Sequence, residues 1–103
     1  MSNSIKTGTV VGTGAAISIS LGFVPEYVRV VNITDADQID EWFAGVSAEG
    51  TAVQTNTAVA TRASNGISTY AGSATASPGF TIGSGISENG KTLAWIAMRS
   101  QND

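Results

Sequence analysis

Four of the eight acids in this chain fall within seven residues, at Asp35, Asp37, Asp40 and Glu41, and no other stretch gathers groups of chemical interest so closely. Clustered carboxylates suit a hard cation such as calcium, which takes oxygen ligands, but the run lacks the glycine and the bidentate acid of an EF-hand loop. A solvated acidic turn is the simpler reading, and no metal is assigned. The same cluster, with Asp40 and Glu41 as its adjacent pair, could supply the two carboxylates of glycoside hydrolysis. That chemistry needs them about 5 to 9.5 Å apart across a cleft. Nothing marks either one as protonated, and 103 residues leave little room for a substrate cleft.

The remaining chemistry is thinner. With no Cys and no His, the chain has no thiol nucleophile, no imidazole base, no disulfide and none of the common zinc ligand sets. It has no G-x-S-x-G nucleophile elbow. Gly12-Thr13-Gly14 invites comparison with a dinucleotide loop, but that fingerprint's third glycine would fall at Ile17, and a period-2 strand stands where the helix N-terminus is required. Asn32-Ile33-Thr34 matches a glycosylation sequon, which means nothing without secretion. Trp42, Phe43, Tyr70, Phe80 and Trp95 could form a stacking platform for sugars or bases, yet each sits in or beside an expected strand, where core packing accounts for most of them. The residues therefore describe a protein that is not an enzyme and carries no cofactor.

Charge narrows the partners. Five cations, Lys6, Arg29, Arg62, Lys91 and Arg99, are spread along the chain against eight acids, so the net charge of -3 repels nucleic acid. No stretch approaches the ~18 consecutive apolar residues of a membrane span, and the first residues do not read as a secretory signal. Synthesis in the cytoplasm is expected. Charged residues are only 13% of the chain, and between Glu49 and Glu88 the sole charge is Arg62. Val53, Val59, Ile67, Tyr70, Phe80 and Ile82 recur through that neutral segment, which marks it as folded β structure whose surface suits contact with other protein.

The elements that must position these residues follow a period of 2. Ile17, Ile19 and Leu21 alternate with small or polar residues on one strand face. Residues 26–33 are rich in β-branched types and apolar on both faces, as in a strand buried near the centre of a sheet. Residues 38–44 are read as a strand paired with them across the acidic turn, in preference to a capped helical turn. Short strands follow at Ala52-Val53 and Ala58-Val59-Ala60. Asn65-Gly66 is expected as a turn before Ile67 to Tyr70, and Pro78-Gly79 leads into Phe80 to Ile82. Asn89-Gly90 is the clearest hairpin signal, with a type I′ turn opening the last strand. That strand puts Leu93, Trp95 and Ala97 on one face and Ala94, Ile96 and Met98 on the other, so both faces should be covered. The sum is all-β, an antiparallel β-sandwich or small jelly-roll-like barrel. Residues 1–16 are expected as an N-terminal arm or edge strand and residues 17–103 as a single β-sandwich domain.

A run of phrases then carries a resemblance. Gly22-Phe23-Val24-Pro25-Glu26-Tyr27-Val28-Arg29-Val30-Val31-Asn32 is followed by Asp40-Glu41-Trp42-Phe43-Ala44-Gly45-Val46, Gly66-Ile67-Ser68-Thr69-Tyr70, Gly79-Phe80-Thr81-Ile82-Gly83 and Trp95-Ile96-Ala97-Met98-Arg99. In order and spacing these resemble small virion proteins of tailed bacteriophages. Asp40, Ala44 and Val46 depart from that pattern, standing where it has an aromatic, an acid and a Met.

The resemblance implies a head decoration (cement) protein that binds the outside of the mature capsid and stabilises it by non-catalytic contacts. Related phrases occur in tail-fibre tips, which gives the alternative of a receptor-binding module for a host surface glycan. A chain that begins near its own Met is expected to be the decoration protein, since a fibre tip would end a long shaft. The implied partners are the major capsid protein and further copies of the chain, a trimer in preference to a dimer, and the implied location is the virion head surface. Ile5, Thr7, Thr9, Val10 and Val11 are expected as a partner interface, adding a strand to a sheet edge of the capsid or of a neighbouring subunit.

Overall fold

A computed structural model describes residues 3–36, 38–56 and 58–100. Among these are eight strands and no helix: β1 (Asn3–Val11), β2 (Ile17–Ser20), β3 (Tyr27–Asn32), β4 (Ile39–Phe43), β5 (Thr51–Thr55), β6 (Val59–Tyr70), β7 (Gly79–Ile82) and β8 (Thr92–Ser100). They form one antiparallel sheet in the order β1-β8-β3-β4-β5-β6-β7-β2. The two edge strands are consecutive in the chain, so the sheet curls back on itself. Lys6 Nζ donates to the Leu21 carbonyl at 2.7 Å across the opening, joining β1 to the loop that follows β2.

The curl is made at β6. Its first residues pair with β5 and its last four with β7, and the partners of the adjacent residues Thr51 and Ala52 jump from Ile67 to Arg62. The intervening residues bend the strand from one layer to the other, with Asn65 in the left-handed region at φ 55°. The expected turn at Asn65-Gly66 is thus corrected to a bend within a single strand. A six-stranded layer, β1-β8-β3-β4-β5 with the start of β6, faces a smaller layer of β6, β7 and β2. The 20 Å shortest dimension agrees with two sheets packed about 10 Å apart plus their side chains.

The core lies between the layers. From the larger one come Val28, Val30, Trp42, Ala52, Leu93 and Ala97, and from the smaller Ile67, Phe80 and Ile82, closed by Leu21, Phe23 and Ile86. Phe80 meets Trp95 edge to face, with ring centroids 5.5 Å apart, which links β7 directly to β8. Gly8, opposite Trp95 in the β1–β8 ladder, leaves room for the indole: a Cβ there would stand 2.8 Å from Trp95 Cζ2.

The pairing of β3 with β4 is as the sequence predicts, with Tyr27, Arg29 and Val31 opposite Phe43, Glu41 and Ile39. The hairpin at Asn89-Gly90 is corrected. Lys91 N donates to Glu88 O in a tight turn, but only Gly90 has a positive φ, so the turn is not type I′. No hairpin results, because β7 is taken by β6 and β2 while β8 pairs with β1 and β3.

Candidate functional site

The acidic cluster is dispersed by the pleat of β4, whose successive side chains point to opposite faces. Asp40 turns inward, is 1% exposed, and accepts from Arg62 Nε at 2.9 Å and from Gln38 Nε2 at 2.8 Å. Glu41 turns outward and accepts the Tyr27 hydroxyl at 2.6 Å. Burial first, then the hydrogen bond and negative charge of Glu41, push the Tyr27 hydroxyl up to about 12, with Arg29 opposing the shift. Asp35 lies in the turn, bonded to Asn32 Nδ2 and to Lys91 Nζ, and Asp37 lies outside the described residues. Adjacent carboxylates on opposite faces do not share a cleft, and among the described residues no group of three or more Asp and Glu side chains could hold a metal.

The other motifs resolve into structure. Asn32 of the sequon is 5% exposed, with its Oδ1 accepting from the backbone of Thr34 and Asp35 and its Nδ2 reaching Asp35 and Glu88, so the turn uses the whole side chain. Gly12-Thr13-Gly14 is laced to residues 87–91: Gly12 N donates to Lys91 O, Gly14 N to Ser87 O, and Thr13 N to Ser87 Oγ. Trp42 and Phe80 are core residues, and Trp95 packs against the core from β8, where it meets Phe80. Trp42 donates its indole N–H to Ala48 O at 3.2 Å.

Residues 3–11 form β1 at one edge of the sheet, and residues 12–16 lie outside any strand. β1 pairs with β8 from Asn3↔Ser100 to Val11↔Thr92, and its opposite edge has no partner strand among the described residues. Four of the five residues expected at a partner interface, Ile5, Thr7, Thr9 and Val11, share the outer side of β1, where Ile5 and Val11 are each 56% exposed. Val10 points the other way and packs against the core.

The outer side of β1 continues into a much larger surface. Pairing places Ile5, Thr7 and Thr9 beside Met98, Ile96 and Ala94 of β8, then Tyr27, Arg29 and Val31 of β3, then Phe43, Glu41 and Ile39 of β4. Val53 and Thr55 of β5 complete it, with Val59 of β6, itself among the most exposed apolar side chains. The expected covering of both faces of β3 and β8 is corrected: the smaller layer covers one face, and no element among the described residues lies over the other. This apolar face carries two charges in its centre, Arg29 and Glu41, which are opposite each other on β3 and β4. Tyr27 and Phe43 lie beside them with their rings tilted at 50° and centroids 5.2 Å apart.

Three shallow grooves of about 220, 470 and 310 Å³ open on this side. One lies by Ile5, Tyr27 and Met98, another by Val31, Ile39 and Thr55, and the third by Arg29, Val31 and Ile96. Tyr27, Val31, Ile39, Phe43, Ile96 and Met98 are half-buried on this face, and Ile5, Val11 and Val59 are exposed at its margins. The sequence signal for it was the double apolar pattern of β3 and β8, which shows two buried faces without showing what buries the second.

No protein-family model, curated protein or solved structure matches the chain.

Proposed function

We propose that this protein works by protein–protein contact, as a capsid decoration protein that binds the outside of a mature bacteriophage head and strengthens it without catalysis. The observation that carries the reading is the open edge of β1, a nine-residue strand with no partner strand on one side among the described residues and with exposed Ile5 and Val11 projecting beside it. Such an edge takes up an extended segment of a partner by main-chain hydrogen bonding, and flanking side chains supply selectivity. The ordered virion-like phrases from Gly22 to Arg99 point to the capsid as that partner.

The mechanism is mass action. A ligand that binds only the assembled shell stabilises it, because its contacts must be lost before capsomers separate under the pressure of packaged DNA. Homo-oligomers would bind with added strength through multivalency.

Co-sedimentation with DNA-filled heads stripped of decoration tests the proposal, read as copies bound per head and as the temperature of DNA release. Saturable binding at a symmetry-related copy number, with later release, supports it. Ile5→Glu with Val11→Glu should lower occupancy without disturbing the β1–β8 ladder. Failure to bind heads, with the protein found at the tail of intact particles, would replace the reading with that of a fibre-tip module.

A further inference from the structure

We propose that the outer face of the six-stranded layer is the contact between two copies of this chain, stacked face to face about a two-fold axis passing between β3 and β4. The proposal concerns the isolated protein and stands apart from capsid binding, for which the free edge of β1 remains open.

The first argument is the pattern of the central strands. A sheet face in water alternates with the buried one, apolar in and polar out. Here Val31, Ile96 and Met98 project from the uncovered side of β3 and β8 while Val30, Leu93 and Ala97 fill the core. The strands are written as interior on both sides, although the described residues supply a cover for only one.

The charges identify the occupant. The Arg29 side chain is exposed and has no hydrogen bond or ion pair among the described residues, while Glu41 opposite it uses Oε2 for the Tyr27 hydroxyl. A purely apolar partner would desolvate both charges and leave them only each other and the Tyr27 hydroxyl, a costly exchange. A second copy related by a two-fold axis through this pair places each Arg29 over the other's Glu41. The face is then complementary to itself, as an isologous interface must be.

The dimensions agree. The molecule measures 40 × 28 × 20 Å, so the larger layer is spread over the broad side. Six strands about 4.8 Å apart, each with five or so residues at about 3.3 Å, project to roughly 500 Å². Side-chain relief carries that towards the ~800 Å² per partner of a stable complex. The groove beside Arg29, Val31 and Ile96 gives the partner's side chains a place to interdigitate. Two-fold stacking differs from the trimer that the virion resemblance implies.

Sedimentation equilibrium on the purified full-length chain tests this, with near-ultraviolet circular dichroism as the check on folding. A dimer is expected. Arg29→Glu makes residues 29 and 41 both acidic and Glu41→Arg makes both basic, so each variant alone should dimerise about 100-fold or more weakly. Mixed one to one, the two should recover a heterodimer, because every facing pair is then opposite in charge. Ile96→Glu provides an independent check. It places a carboxylate beside Arg29 of its own chain, which favours folding, but buries it in the interface and should give a monomer. A wild-type chain that stays monomeric at about 100 μM, well above the micromolar limit for interfaces of this size, overturns the proposal. So does a trimer, or a dimer indifferent to both Arg29→Glu and Ile96→Glu.

Discussion

Arg62 donates its Nε–H to Asp40 Oδ1 at 2.9 Å, joining the bend of β6 to β4 beneath the larger layer. The Asp40 carboxylate is fully buried and its second oxygen accepts from Gln38, so the pair is well satisfied. Removing one partner would strand a charge in the core. Asp40→Ala is therefore expected to cost about 3 kcal/mol, measured by urea denaturation, whereas Glu41→Ala on the outer side of the same strand should cost much less. Equal losses would show that burial does not distinguish the two acids.

The two tryptophans should respond differently to loss of their ring nitrogens. Trp42 Nε1 bonds Ala48 O, while Trp95 Nε1 is buried with no partner. Replacement by Phe removes a useful hydrogen bond at Trp42 and an unsatisfied donor at Trp95. Trp42→Phe should then be more destabilising than Trp95→Phe by about 1 kcal/mol, read from denaturation midpoints at matched slopes. The reverse order would mean that the indole of Trp95 finds a partner, such as water, in solution.

Gly8 lets the Trp95 indole lie across β1, where a Cβ would approach it to 2.8 Å. Gly8→Val should force the ring aside and cost roughly 2 kcal/mol by overpacking. Amide exchange in β1 and β8 should rise with it. Thr9→Val, at a neighbouring exposed position, is expected to be nearly neutral.

Tyr27 confers sensitivity to alkali. Its hydroxyl is raised from 10.0 to about 12 in the fold, so below pH 10 it is neutral in both folded and unfolded chains. As pH rises from 10 towards 12, the unfolded chain ionises first and gains stability, so the fold loses stability across that window. Tyr27→Phe has no such group and should show a shallower alkaline decline. Identical slopes for the two proteins would rule out Tyr27 as the source.

Much of this architecture is legible in local pattern, and the exceptions have a common origin. The period of 2 is carried by each strand's own residues, so Ile17 and Ile19, the two faces of the last strand and the pairing of β3 with β4 across a short connection can all be read directly. The turn residues at Asn89-Gly90 and the bend at Asn65 are visible too, but a local signal does not say whether the chain reverses or continues. Gly90 serves a turn between strands that are not neighbours, and Asn65 serves a bend that carries one strand between two layers.

The amino-acid sequence by itself determined that the chain forms β-strands with a modest apolar core, and that its charges are few. Only the tertiary structure decided which strands meet, because β1 with β8 and β2 with β7 are pairings between distant segments that no short-range preference specifies. It also separated Asp40 from Glu41, sending one to Arg62 in the core and the other to an open surface. Above all, it chose between the two apolar faces of β3 and β8. The smaller layer covers one of them, and the other, with Arg29 and Glu41 at its centre, has no cover among the described residues.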